Sequence, residues 1–173
     1  NNNSFCLNEG YSGGAALVYG VGGGGTNDWE NNIFQENIAD YNGGAVYSYA
    51  GTASSMVNNH FVANDAYTNG GAVYYYRGAP TFTNNLVAWT VDGGGIYAAD
   101  STTNSTSSVT FSDWYTNRRD DGGGSFTFSS TADGNIADDP LLRDYTQDGD
   151  CSNDDLRLSS SSTPARPAPE TAW

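Results

Sequence analysis

The sequence predicts an all-β chain: a single parallel β-solenoid of about five coils with a C-terminal closing segment over residues 1–158. A short Ser/Pro-rich tail follows at 159–173. Three observations carry this expectation. An Asn pair leading an apolar residue recurs at Phe5, Phe34, Phe61 and Val87, with spacings of 29, 27 and 26. A Gly pair leading a small apolar stretch recurs at 13, 43, 70, 93 and 122, with spacings of 30, 27, 23 and 29. Two markers thus share one period, in the range where solenoids are found. Finally, apolar residues nowhere recur at three- and four-residue intervals, whereas short β-branched or aromatic stretches broken by Gly, Asn, Asp and Ser recur throughout.

Each element follows from its residues. NNSFCLN, NNIFQEN and NNHFVAN open three copies, and NNLVAWT opens a weaker fourth. Coils of a parallel solenoid stack at about 4.8 Å, so equivalent residues lie directly above one another. Asn2, Asn31, Asn58 and Asn84 then form one column, and Asn3, Asn32, Asn59 and Asn85 its neighbour. Asn8, Asn37 and Asn64 form a third. A carboxamide both donates and accepts, so stacked copies can bond along the axis, and Asn tolerates the left-handed backbone of a sharp corner. Phe5, Phe34, Phe61 and Val87 are expected to fill the interior. The strands that follow the glycines read GGAALVY, GGAVYSY, GGAVYYY, GGGIYAA and GGGSFTF. If Ala16, Val46, Val73 and Ile96 point inward, Tyr47, Tyr74 and Tyr97 point outward, together with Tyr49 and Tyr76. Phe126 and Phe128 continue these aromatic columns in the fifth copy, with a turn inward open to them.

Composition excludes several classes. The chain holds 22 Gly, 19 Asn and no Lys among 173 residues, with a formal charge of −14. Helical bundles need Ala, Glu, Lys and Leu in abundance. Phosphate contacts need clustered Lys and Arg, which excludes nucleic acid. No apolar run reaches the length of a membrane-spanning helix. The opening residues NNNSF lack the basic and apolar regions of a signal peptide, and the chain opens in mid-repeat, as expected of part of a longer protein.

The pairing of F-x-x-N (FCLN, FQEN, FVAN) with G-G-A-[aliphatic] (GGAA and two GGAV copies) resembles the repeat of polymorphic outer-membrane proteins and related autotransporter passengers. More broadly it is similar to secreted bacterial proteins of the pectin lyase-like class. The likeness covers residues 1–130, and later copies depart from it, with Trp89 and Thr90 where the Asn would fall and GGG for GGA. The resemblance implies a right-handed parallel β-helix in an extracellular or cell-surface, structural or adhesive bacterial module. The stretch ADDPLLRDYTQDGDCSNDDLRLSSSSTPARP resembles the segment that completes the last coil of many such proteins.

Chemistry is sparsely encoded. His60, the single histidine, occupies a slot held elsewhere by Ser4, Ile33 and Leu86, and reads as an ordinary strand position. Polysaccharide lyases, epimerases and hydrolases of the resembling class form the enzymatic alternative. Arg77 or Arg118 beside two carboxylates, such as Asp92 and Asp121, would be its signature, with Arg118 and Arg119 otherwise neutralised by Asp120 and Asp121. Asp148, Asp150 and Asp154 put several oxygen ligands in one acidic turn, a candidate Ca²⁺ site without EF-hand order. Tyr47, Tyr49, Tyr74, Tyr76 and Tyr97 are the candidate contact surface for a glycan or another protein chain. End-to-end self-association through open strand edges is a third alternative. Cys6 and Cys151 are too few for a disulfide framework and are expected several coils apart, too far to bond unless the tail folds back.

Overall fold

The computed structural model describes residues 1–20, 27–49, 54–78, 80–99, 108–125 and 128–159. Its strands stack in parallel into four sheets that wrap one apolar interior. The first sheet holds Ser4–Cys6, Ile33–Gln35, His60–Val62, Leu86–Ala88 and Asp113–Tyr115. A short second sheet holds Glu9–Gly10, Ile38–Ala39 and Asp65–Ala66. The third holds Ala16–Val18, Val46–Ser48, Val73–Tyr75, Ile96–Ala98 and Gly122–Gly124, and the fourth Asn27–Glu30, Ser54–Val57, Thr81–Thr83 and Ser108–Thr110. The chain is therefore a parallel β-solenoid. It makes about four turns instead of five: among the described residues the fifth copy contributes strands to the first and third sheets alone.

Register follows the predicted columns. Phe5 pairs with Phe34, Phe34 with Phe61, Phe61 with Val87 and Val87 with Trp114. The three Phe rings stack at 4.9 Å. Inward residues of the other sheets complete the core: Val46, Val73 and Ile96 from the third, Met56, Phe82 and Val109 from the fourth.

The two leading Asn columns divide the labour that the sequence assigned to both. Asn2, Asn31, Asn58 and Asn84 adopt φ of 55–60°, the left-handed corner conformation. Asn32, Asn59 and Asn85 are buried and bonded along the axis. The Asn59 Oδ1 accepts from the Asn32 backbone N–H at 2.9 Å and from its Nδ2 at 3.0 Å. The Asn59 Nδ2 donates to Asn85 Oδ1 at 3.1 Å and to the Trp29 carbonyl at 2.9 Å. Ser112 and Asn135 extend the column past the last Asn pair. A second corner uses φ near 50° at Leu7, Glu36, Ala63, Trp89 and Thr116, residue types that gave no turn signal. The first glycine of each pair, at 13, 43 and 70, sits at φ of 66–70°, where a Cβ would strike the carbonyl three residues on.

The fifth copy departs in register. Gly122–Gly124 itself pairs with Ile96–Ala98, three residues earlier than the expected match through Ser125 and Phe126. Gly123 consequently lies beside Tyr97, whose ring occupies the space a Cβ would need. Phe128 turns inward onto Trp114, centroids 4.6 Å apart, while Phe126 lies outside the described residues.

Beyond the coils, Leu142–Asp144 and Asp155–Leu158 form an antiparallel hairpin. The sequence placed this segment in the last coil; it lies instead along the outer face of the first sheet. Tyr145 and Leu156 are buried against Val62, Ala63, Leu86 and Ala88, with Ile33, Trp89, Tyr115 and Leu142 at the margin. Tyr145 stacks on Trp89 at 5.2 Å. The fold-back brings the Cys6 and Cys151 Cα atoms to 6.5 Å, and they are disulfide-bonded. The expectation of separated thiols is thereby corrected. Of the tail expected at 159–173, residues 160–173 lie outside the described residues.

Two outcomes follow. Asn59→Ala removes the acceptor of the buried Asn32 N–H and a donor to the Trp29 carbonyl, and is expected to cost about 2–3 kcal/mol in chemical denaturation. Burial raises the Asp113 carboxyl from 3.8 to about 6, so its stabilising protonated form is present below 3.8 and lost as pH rises through about 6. Asp113→Asn is expected to raise the melting temperature at about pH 7.5 but not at about pH 3.5, as read by thermal melts.

Candidate functional site

The third sheet presents the tyrosines. With Val46, Val73 and Ile96 inward, the alternation sends Leu17, Tyr47, Tyr74 and Tyr97 out in one column. Tyr19, Tyr49 and Tyr76 follow each strand and form a second. Rings in these columns stack on one another. Tyr47–Tyr74 and Tyr74–Tyr97 are 4.9 and 5.4 Å apart, and Tyr19–Tyr49 and Tyr49–Tyr76 are 4.4 and 4.7 Å apart. Interplanar angles of 4–15° make the stacks nearly parallel.

This geometry settles what the rings offer. Parallel stacking along the axis turns each ring face toward the next rung, so the surface shows ring edges and phenol hydroxyls. Tyr74, between two rungs, is only 7% exposed, whereas Tyr19 at the first coil is 63% exposed. Leu17, 55% exposed, occupies the first rung of the other column. The Arg77 guanidinium lies 5.3 Å from the Tyr76 ring centroid. Burial, reinforced by Tyr47 and Tyr97, pushes the Tyr74 phenol up to about 12.

The remaining candidates are dispersed. Arg118 and Arg119 reach Asp92, at 4.0 and 3.3 Å, in place of the expected Asp120 and Asp121. Asp121 accepts from the Asn117 amide at 2.9 Å. The two carboxylates considered for hydrolysis therefore have different partners. Asp65, on the second sheet, is pushed up by burial and then by the charge of Asp92, with Arg118 opposing. His60 lies half-buried between Ile33 and Leu86 on the first sheet, and burial lowers its pKa.

The acidic turn is occupied by its own backbone. The Asp148 carboxylate accepts from the Asp150 N–H and the Asn153 amide, each at 3.0 Å. Asp150 accepts from the Ser152 N–H at 3.0 Å and from its hydroxyl at 2.5 Å. Asp154 accepts from the Thr146 N–H and hydroxyl, and from the Gln35 amide across to the first sheet. Among the described residues no three His, Cys, Asp or Glu side chains converge as a metal site requires. Asp148, Asp150 and Asp154 lie in the turn of the hairpin, where these donors already engage their carboxylates.

Sequence reasoning missed the covered outer face of the first sheet. A signal for it existed: Val62, Leu86 and Ala88 are apolar at outward positions beside inward Phe61 and Val87, the pattern of strands buried on both faces. Glu36 lies beneath the hairpin, its carboxyl pushed up by burial.

The raised Tyr74 phenol sets a pH response. Its stabilisation is complete below pH 10 and lost as pH rises through about 12. Phenolate absorbance is expected to show one class of tyrosine titrating near 12, which Tyr74→Phe removes.

No curated protein and no solved structure matches the chain significantly. A family model does: the Chlamydia polymorphic membrane protein repeat matches residues 33–49 and 81–99. The first match runs from the Phe34 strand through the glycine pair to Tyr49, and the second from the Phe82 strand through the Asn pair to Ala99. The coils of this parallel β-solenoid are thus built on a repeat that matches the Chlamydia polymorphic membrane protein repeat at two places.

Proposed function

We propose that the chain is an extracellular or cell-surface contact module of a larger bacterial protein, without catalytic activity, and that its tyrosine face binds a partner protein chain. The double column of stacked tyrosines is the observation that carries this reading. Its ring faces are engaged by one another, which leaves few exposed π-faces on which a sugar ring could stack. The exposed edges carry the positive rim of the aromatic quadrupole and the phenol hydroxyls. A protein surface of apolar and aromatic side chains packs against such edges in the edge-to-face arrangement, with backbone carbonyls accepting from the hydroxyls. The match to a membrane-protein repeat supports placement at the cell surface.

The arrangement of charged groups favours this over catalysis. Arg77 lies over Tyr76, and Arg118 and Arg119 neutralise Asp92. A lyase would need such an Arg, and a hydrolase a pair of carboxylates, left free for substrate.

The test uses fluorescently labelled protein and cultured animal cells, untreated, protease-treated or glycosidase-treated, read by flow cytometry. Tyr49→Ser with Tyr76→Ser is expected to lower binding about ten-fold, while Tyr11→Ser with Tyr67→Ser leaves it unchanged; protease, not glycosidase, removes it. Absent binding by the unmodified protein, equal binding by the first variant, or sensitivity to glycosidase alone overturns the proposal.

A further inference from the structure

The C-terminal hairpin differs from every other element in how it is held. Coils bond to their neighbours through backbone ladders, but the hairpin's strands pair with each other, Leu142 with Leu158 and Asp144 with Asp155. Its hold on the coils comes through side chains at a few points. Tyr145 and Leu156 are its buried apolar anchors, and Asp154 is joined to Gln35. Cys151, at its tip, is bonded to Cys6 of the first coil. An isolated two-stranded hairpin is marginal in water, so this one depends on its few side-chain contacts with the coils. At the tip, Glu36 of the first coil accepts from the Gly149 backbone N–H and lies near the Asp154 and Asp148 carboxylates.

Much of what lies underneath is apolar. The outward column of the first sheet runs Cys6, Gln35, Val62, Ala88 and Tyr115, and the hairpin follows it from the last coil back to the first. Val62 and Ala88 are fully buried and Leu86 nearly so, although all three point away from the interior. At the other end, Asp139, Pro140 and Leu141 connect the cap at Ile136 to the hairpin. Leu141 has φ of 47°, a corner at which the hairpin's direction is set.

We propose that the Cys6–Cys151 disulfide is a thiol-sensitive latch, and that its reduction frees the hairpin as a unit and uncovers the apolar face of the first sheet while the coils stay folded. Both cysteines are half-buried, within reach of a small thiol. A dithiol acts in two steps. Its thiolate attacks one cystine sulfur, breaking the S–S bond, forming a mixed disulfide and releasing the other cysteine as a thiolate that takes up a proton. The reagent's second thiol then displaces the bound cysteine and closes a cyclic disulfide. Two electrons pass to the protein, which gains two thiols. The hairpin then stays joined to the last coil through Asp139, Pro140 and Leu141, and local opening no longer requires a covalent bond to break. This latch does not depend on the tyrosine face.

Hydrogen exchange on the folded protein, with and without dithiothreitol, tests the proposal, with thiol titration in parallel. Reduction is expected to yield two titratable thiols and to speed exchange across 142–158 about ten-fold or more, with Val46–Ser48 and Val73–Tyr75 unchanged. An apolar-surface dye is expected to gain fluorescence on the reduced protein and equally on Cys6→Ser. Three results overturn it: no thiols under native conditions, two thiols with the hairpin still protected, or coil strands losing protection together with the hairpin.

Discussion

Everything in this molecule depends on in-register stacking, which makes each side chain's nearest neighbours along the axis copies of its own position. Such a column tolerates few chemistries. An amide suits it because one end donates and the other accepts, as from Asn32 through Asn59 to Asn85. An aromatic ring suits it because its face covers the next ring, as in Phe5, Phe34 and Phe61. Repeated charge does not, since like charges would meet at about 4.8 Å on every coil. The scarcity of charge and the excess of Asn and Gly are two sides of this one constraint.

The same rule operates inside and outside. Phe34 and Tyr74 obey similar stacking geometry on opposite sides of the wall, so the tyrosine face extends the core's logic onto the surface. Where the column loses its aromatic the rule ends visibly: Gly123 receives the Tyr97 ring and Phe128 leaves the column to cover Trp114. Asn135 closes the amide column at the same end.

Most of the solenoid was legible because periodicity is redundant: four Asn pairs and five Gly pairs report the same coil. The direction of the tyrosines was not fixed by alternation, since either parity gives an apolar core; burial of Val46, Val73 and Ile96 turns Tyr47, Tyr74 and Tyr97 outward. What could not be read lay where residues meet only once. The hairpin docks through Tyr145 and Leu156, which repeat nowhere and have no column to betray them. The bond between Cys6 and Cys151 depends on that docking and so was equally hidden. The fifth copy misled for a related reason. Three glycines in a row match the marker in several frames, and only pairing with Ile96–Ala98 selects one. The pairing of Arg118 and Arg119 with Asp92 likewise joins adjacent coils, while sequence proximity favoured Asp120 and Asp121.

The disulfide also has a mechanical meaning. A stack of coils pulled at its ends unwinds coil by coil, because each is held only by its neighbours. Here residues 6 and 151 are joined across a sequence separation of 145. Tension applied to the two ends of the chain enters at Cys6, crosses the S–S bond and leaves at Cys151, so the coils between them carry no load. The molecule behaves under force as a covalent link a few ångströms long, with the solenoid hanging from it unstretched.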